Sequence, residues 1–265
     1  MRSNWQREGK FLLALWKANL LAAMEYRVAF LSQIIGMMLN NALYFLFWVL
    51  FFQRFQEVRG WQLNDMVLLF GLVATGFGLA VFFFGNALSL CEVIIEGRLD
   101  YYLALPRPVL LHTLASGSVP SGMGDFTYGV ISFALLGNYS LDAIARFVIG
   151  VLLAMLIFLA VMVIVHSLTF WLGSASAIAN AVMNAMITFS IYPSTLFDGS
   201  AKLILLTILP AAFVGAIPAA FVRNFAWSTF GQLLLAAVIF LSLALLIFQR
   251  GLRRYESGSA IQTRA

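Results

Sequence analysis

Six apolar segments dominate the sequence, and each is long enough to cross a lipid bilayer. A membrane-spanning helix needs about 20 largely apolar residues, because the hydrocarbon core is roughly 30 Å thick and each helical residue rises about 1.5 Å. The segments that meet this requirement are residues 28–52, 66–90, 109–136, 144–172, 177–196 and 226–248. They predict an all-α integral membrane protein with six transmembrane helices in a single domain over residues 1–265.

The composition excludes an ordinary soluble domain. Hydrophobic residues make up 62% of the chain and charged residues only 10%, whereas a soluble domain is nearer half apolar and a quarter charged. Such a chain has too little polar surface to cover an apolar core in water, so lipid is the solvent for most of it. The single cysteine, Cys91, cannot form an intramolecular disulfide.

The N-terminal segment, residues 7–26, has a different pattern from the six spans. Arg7, Lys10 and Lys17 fall within one narrow arc of a helical wheel, and apolar side chains cover most of the remainder. This pattern predicts a helix that lies in the membrane interface with its basic face toward the headgroups; a seventh, partly buried helix is the alternative. Because Lys17 interrupts the apolar stretch and no clear cleavage site is present, we expect the N-terminus to be retained.

The distribution of basic residues predicts the orientation, because short cytoplasmic loops carry an excess of Lys and Arg. With the N-terminus inside, eleven of the 16 basic residues are cytoplasmic, namely Arg2, Arg7, Lys10, Lys17, Arg27, Arg98, Arg107, Arg250, Arg253, Arg254 and Arg264. The five that are then outside are Arg54, Arg59, Arg146, Lys202 and Arg223. We therefore predict an even number of crossings, with both termini in the cytoplasm.

Residues 200–223 form a further apolar segment, and the orientation decides how we interpret it. Its core, residues 203–222, is long enough to cross, but a seventh crossing would move the arginines near the C-terminus outside. Pro210 and Pro218 each remove a backbone donor and are expected to interrupt a helix. Irregular backbone at membrane depth persists only where it is buried in protein or lines a cavity. We predict a re-entrant or broken helical segment that enters from the outer face.

The residue types that catalysis requires are sparse. The only lysines are Lys10, Lys17 and Lys202, and no glycine-rich phosphate loop precedes any of them. His112 and His166 have no cysteine or carboxylate at metal-ligand spacing, and no Ser/His/Asp set is apparent. We expect no enzymatic activity, no cofactor or metal bound by this chain, and no nucleic-acid partner.

The longest polar stretch between the predicted spans is residues 91–108, which we expect to be cytoplasmic, and its most informative part is residues 91–106. It continues the second span, breaks at Gly97, and stops at Pro106. Between these points it combines charged side chains with aromatic and aliphatic ones. A short amphipathic element of this kind suits docking on another protein, and a solvated interfacial loop is the alternative.

Two sequence runs in this chain resemble those of ABC-2 type transporter permeases, most closely a viologen-exporter-like subgroup. The first is Ile-Glu-Gly-Arg-Leu-Asp-Tyr-Tyr-Leu-Ala-Leu-Pro at residues 95–106. The second is Tyr-Pro-Ser-Thr-Leu-Phe at residues 192–197, followed by the proline-containing run at residues 208–220. The resemblance covers nearly the whole chain, although Asp198 and Gly199 replace the apolar or proline-containing turn expected there.

The resemblance implies a permease subunit of an ATP-driven exporter in a bacterial inner (plasma) membrane. Such a subunit pairs with a second permease, either homologous or identical, and with two copies of a cytoplasmic ATPase that binds the ATP and Mg. It would move an amphiphilic or hydrophobic compound through the lipid bilayer. Residues 91–106 would be the coupling segment, with Glu96, Gly97, Arg98, Leu99, Asp100, Tyr101, Tyr102 and Pro106 at the ATPase contact. The outer gate would include Tyr192, Pro193, Phe197, Pro210 and Pro218.

Two polar residues within the spans are candidates for the translocation path. Asp125 lies in a span that Pro120 and two glycines loosen, and a carboxylate inside a membrane must face a cavity or a partner. It would contact substrate or a proton, or else form a hydrogen bond between helices. His166 is a weaker candidate, with packing as its alternative role.

Two other classes of function remain as alternatives. A secondary carrier or channel would work without an ATPase, and a co-purifying ATPase distinguishes it from an exporter. An intramembrane enzyme is disfavoured because the sequence contains no catalytic constellation.

Overall fold

The computed structural model describes residues 2–255, and almost all of this chain is helical; Arg264 of the predicted cytoplasmic set lies outside the described residues. The longer helices are α1 Arg2–Met24, α2 Arg27–Arg54, α3 Leu63–Phe83, α7 Gly122–Leu135, α8 Leu141–Ser167, α10 Ser176–Ser190 and α13 Trp227–Leu252. Shorter helices are α4 Leu90–Ile95, α5 Leu99–Leu103, α6 Val109–Ala115, α9 Thr169–Leu172, α11 Gly199–Thr207 and α12 Ala216–Arg223. Three 3₁₀ turns, at Gly85–Ala87, Ser194–Leu196 and Ala211–Phe213, link some of them.

Four helical stretches are long and apolar enough to cross a membrane: Arg27–Arg54, Leu63–Phe83, Leu141–Leu172 and Trp227–Leu252. A bent pair, Gly199–Thr207 with Ala211–Arg223, turns by 64° and would bring the number to five if it crossed as one span. The all-helical membrane architecture is therefore confirmed. Two predicted spans differ, since residues 109–136 divide into α6 and α7, and residues 177–196 contain only the 15-residue α10.

The break between α6 and α7 lies beside a second break, at the end of α3. The predicted span 66–90 ends at Phe83 and continues as a 3₁₀ turn and α4. The amide of Gly85 donates to the carbonyl of Gly117 at 2.9 Å, and the amide of Val119 donates to Val81 at 3.1 Å. The two irregular segments thus satisfy each other's backbone groups, which allows non-helical chain at membrane depth. Hydropathy alone predicts no interruption in either segment.

Helix α1 covers the paired breaks from one side. The indole Nε1 of Trp16 donates to the carbonyl of Phe83 at 2.8 Å, and the side-chain amide of Asn19 donates to the carbonyl of Ala115 at 3.0 Å. The basic side chains of Lys10 and Lys17 are exposed. The helix is therefore amphipathic, with one side attached to the bundle and a basic side facing away from it.

The centre of the bundle is formed by α3 and α8. In the most apolar window of each helix, 72% of α3 and 67% of α8 is buried, compared with 6% of α2. Helices α3 and α7 approach closely because glycines face each other across the contact, and a Cβ added to Gly78 would lie 2.5 Å from the carbonyl oxygen of Gly122. Helix α2 is attached at the edge and presents most of its length outward.

Candidate functional site

The 91–106 segment folds as two short helices joined by a turn. Helix α4 ends at Ile95, Gly97 adopts a φ of +72°, and α5 begins at Leu99. A positive φ is readily adopted by glycine, which explains why the helix breaks there. The Nε of Arg98 lies 2.7 Å from the carboxylate of Glu96, so an ion pair spans the turn. Helix α5 ends at Leu103, three residues before the proline predicted to stop it.

The inner face of this segment is anchored to the bundle. Leu99 is fully buried, and the ring of Tyr102 contacts the ring of His112 on α6 at a centroid distance of 5.1 Å. Tyr255, just beyond α13, lies near Asp100. Burial, together with the Asp100 carboxylate, raises the pKa of Tyr255 to about 12, so this side chain remains a neutral phenol at physiological pH.

The outer face of the segment is open. Glu96 and Arg98 are each about half exposed, and Tyr101 and Leu103 are 65% and 43% exposed. This arrangement places an aromatic ring and an aliphatic side chain beside a mixed pair of charges. A surface of this composition is typical of a protein contact, where aromatic and arginine side chains provide much of the binding energy.

Helix α1 is joined to the same region through Arg107. The guanidinium of Arg107 lies 2.9 Å from the carboxylate of Glu8 and 3.7 Å from the ring centroid of Phe11. Phe11 also contacts His112 edge-on at 4.9 Å. Movement of the 91–106 segment would therefore be transmitted to α1 as well as to α6.

A buried polar cluster lies behind α4. The Oγ1 of Thr169 donates to Cys91 Sγ at 3.0 Å, and the Oγ of Ser176 donates to the carboxylate of Glu92 at 3.1 Å. His166 is 1% exposed, and within residues 2–255 neither of its ring nitrogens has a hydrogen-bond partner. These contacts connect the first turn of the 91–106 segment to α9 and α10.

Asp125 holds α2 against α7. Its Oδ1 accepts a hydrogen bond of 2.6 Å from the side-chain amide of Asn41, and it is only 4% exposed. Its Oδ2 is buried and has no partner in the described part of the chain. The observed contact is a hydrogen bond between helices, which is one of the two roles that the sequence predicts for Asp125.

The structure does not bring the two predicted path residues together. A Cβ on Gly76 of α3 would lie 3.1 Å from Ala154, which fixes the level of α8 beside α3. His166 lies twelve residues further along α8, or about 18 Å at the helical rise. Asp125 packs near Gly78, close to the level of Ala154. The two residues therefore do not form one site.

Tyr192, Pro193 and Phe197 of the predicted gate lie toward the end of the bundle where α2 ends, opposite the 91–106 segment, whereas Pro218 packs beside Gly150 within α8. The ring of Tyr192 contacts Trp48 of α2 at 5.4 Å, and Phe197 contacts Phe189 of α10 at 5.7 Å. Pro193 precedes the 3₁₀ turn that follows α10, and Pro210 precedes the turn between α11 and α12.

The expectation that Pro218 interrupts a helix is wrong. Pro218 is the third residue of α12, within the first turn, where the backbone amide needs no intrahelical acceptor. The break in the 200–223 segment lies instead between Thr207 and Ala216, where Pro210 is found.

Both ends of the 200–223 segment are fastened to one short stretch of chain, residues 59–65, which runs from the connection after α2 into the first turn of α3. At its beginning, Arg59 lies 2.8 Å from the carboxylate of Asp198 and donates to the carbonyl of Thr195 at 2.6 Å. At its end, Arg223 lies 2.8 Å from the carboxylate of Asp65. The connection itself is compact, because an isolated antiparallel bridge joins two residues within it, Val58 and Trp61.

Sequence reasoning missed the partners in these contacts. Arg59 and Arg223 are predicted only as basic residues outside the membrane, and Asp65 is assigned no site role. Asp65 carries one local signal, since it forms a capping box with Gln62 at the start of α3. Nothing in the sequence pairs it with a residue more than 150 positions away.

The comparison with known proteins agrees with this architecture. The sequence profile of a family described as ABC-2 family transporter protein matches residues 38–259, which is most of the chain. Searches of curated proteins and of solved structures give no significant match. Because the family profile covers most of this multi-pass helical membrane protein, the chain belongs to the ABC-2 family of transporter proteins as a membrane component.

Proposed function

We propose that this chain is the permease subunit of an ATP-driven exporter that moves an amphiphilic or hydrophobic compound, with ATP hydrolysed on a separate chain. The observation that carries the proposal is the open face of the 91–106 segment, where Tyr101 and Leu103 flank the Glu96–Arg98 pair. Two copies of a cytoplasmic ATPase would dock on this face and on that of a second permease. In an ABC-2 family chain, a segment that binds the ATPase would transmit the conformational change of the ATPase to the membrane helices.

The anchoring of the segment supports this transmission. Leu99 is buried, Tyr102 packs on α6, and Asp100 lies near Tyr255, three residues beyond the end of α13. A rigid element attached to three helices moves them together, because packed interiors deform little. Displacement of the docked face would therefore shift α6, α13 and, through Arg107, α1.

The contacts at the outer end support six crossings with both termini in the cytoplasm. Residues 59–65 hold both Asp198 and Arg223, so both ends of the segment contact one short stretch of chain at the start of α3. A segment that crossed the bilayer would need ends separated by roughly 30 Å. The 200–223 segment is accordingly re-entrant in this proposal, and α6 with α7 forms one interrupted crossing.

A second permease copy would pack on the open face of α2. Asn40 on this helix is exposed, and its neighbour Asn41 turns inward to Asp125. An exposed amide in a membrane helix gains from a partner helix, and a small residue one turn away, Gly36, has open space around it. The partner permease, identical or homologous, would cover both.

The experiment compares Tyr101→Ala with Tyr26→Ala. Both tyrosines are strongly exposed, at 65% and 72%, and both lie on the side proposed as cytoplasmic. The chain is co-expressed with an ABC ATPase that co-purifies with it, and transport and ATP hydrolysis are measured in proteoliposomes. We expect Tyr101→Ala, alone or with Glu96→Ala and Arg98→Ala, to abolish ATP-driven transport while membrane insertion is unchanged, and Tyr26→Ala to have no effect.

Full transport by the triple variant would rule out this face as the docking site. Transport by the isolated chain, with no ATPase co-purifying, would instead favour a secondary carrier or channel.

A further inference from the structure

A lipid-facing groove lies between α6, α8 and α13, at the end of the bundle that carries the 91–106 segment. Its volume is about 470 Å³, and its walls are almost entirely apolar. The residues that carry the argument are Leu110 and Leu114 of α6, Val163 of α8, and Leu241, Leu245 and Phe248 of α13. We propose that this groove binds one anionic phospholipid, with an acyl chain between the helices and the phosphate at the C-terminal end of α13.

The walls fit an acyl chain better than bulk lipid contact would require. Leu114 and Phe248 are buried at the base of the groove, and Leu245 at its edge is 49% exposed. An apolar recess of this size in a membrane protein is filled by lipid, because an empty one would forfeit dispersion contacts along its whole lining. The charge at its mouth identifies the lipid class.

Gln249 lines the groove at its mouth, and Arg253 lies four residues further along the chain. Residues four apart lie on the same face of a helix, so the Arg253 side chain starts one turn beyond the groove, toward the water. Arg253 is exposed and makes no ion pair within residues 2–255. No acidic side chain lines the groove among the described residues.

The basic residue on the opposite rim is already neutralised. Arg107, beside the groove residue Pro108, pairs with Glu8 at 2.9 Å. Asp100 lies near Tyr255, two residues beyond Arg253, and the exposed Arg253 and Arg254 outweigh this one carboxylate, so the net charge at the mouth is positive. A positive site at the end of a spanning helix attracts an anionic headgroup, and a guanidinium and an amide together suit the oxygens of a phosphate.

Lipid binding at this end of the bundle is independent of the compound that the protein transports. Its assignment to the cytoplasmic leaflet rests on the topology proposed above. A lipid at this position would bridge α6 and α13, the two helices against which the 91–106 segment is anchored.

The test is a titration of phosphatidylglycerol, and separately of phosphatidylcholine, into the delipidated full-length chain in a non-ionic detergent, read by native mass spectrometry. We expect one phosphatidylglycerol to be retained preferentially. Arg253→Gln should weaken its binding about tenfold, the order expected for one charge-assisted hydrogen bond. Leu245→Trp should remove the bound lipid by filling the groove.

Two matched variants provide controls. Arg250→Gln removes an exposed arginine three residues before Arg253, and Leu246→Trp enlarges a side chain of the same 49% exposure that does not line the groove. Both should bind phosphatidylglycerol as the unmodified chain does. Equal retention of the two lipids by the unmodified chain, or undiminished phosphatidylglycerol binding by Leu245→Trp, would overturn the proposal.

Discussion

Replacing Arg223 by glutamine should loosen the end of the 200–223 segment much more than replacing Arg59 loosens its beginning. The Nε of Arg223 lies 2.8 Å from Asp65, and the two side chains are only 32% and 14% exposed. The Arg223 guanidinium also lies 5.4 Å from the ring centroid of Trp61. A charge-assisted contact in such a partly buried setting contributes about 2 kcal/mol. The Arg59–Asp198 pair is 52% and 76% exposed, and a pair that open contributes less than about 1 kcal/mol.

These energies set the equilibrium between the docked and the locally opened state of the segment. Amide hydrogen exchange in α12 reports the equilibrium between docked and undocked segment. A loss of about 2 kcal/mol raises that exchange roughly 30-fold, and a loss below 1 kcal/mol raises it by less than about fivefold. The measurement is exchange followed by mass spectrometry on the protein in lipid nanodiscs.

Arg107→Gln serves as the control, because its pair with Glu8 is similarly exposed, at 28% and 29%, and lies beside the 91–106 segment rather than against α12. It should leave exchange in α12 unchanged. An Arg59→Gln variant that opens the segment as much as Arg223→Gln would refute the reasoning from burial.

Asn41→Leu should lower the melting temperature by the equivalent of about 1–3 kcal/mol, because it leaves the buried Asp125 carboxylate without its one donor; Asn40→Leu, on the exposed side, should not. Gly78→Ala should destabilise the α3–α7 contact by several times the ordinary cost of a surface change, since its Cβ would meet backbone rather than a movable side chain, and thermal unfolding in detergent would detect it. Burial and the Asp100 carboxylate raise the pKa of Tyr255 from its ordinary value of 10.0 to about 12, so the stabilisation by this group is fully present below pH 10.0 and is lost as the pH rises through about 12. A series of thermal melts across this range should lose that dependence in Tyr255→Phe.

The sequence is sufficient to predict features that depend on local composition. Long apolar runs predict α2, α3, α8 and α13, because the thickness of a bilayer sets the length of a spanning helix. Gly97 predicts the turn in the 91–106 segment, because a positive φ is a property of that one residue. The amphipathic pattern of the N-terminal segment likewise depends only on helical spacing.

Features that depend on distant pairs could not be predicted. The interruption after Ala115 follows an apolar run, and it is stable only because the break after Phe83 supplies complementary donors and acceptors. The contact between Asn41 and Asp125 joins α2 and α7, and the sequence of neither helix shows that the two are neighbours in the bundle. Pro218 was misassigned because proline reads as a helix breaker until its position within the first turn is known.

The paired breaks also constrain how the chain is made. The carbonyls of Val81 and Phe82 accept from residues 119 and 118, and that of Phe83 accepts from Trp16. During synthesis, α3 is complete long before residues 118 and 119 leave the ribosome. Its end must therefore wait at the membrane surface, where water can satisfy those carbonyls, until the stretch after α6 arrives. We therefore expect the insertion of α3 and α7 to be coupled.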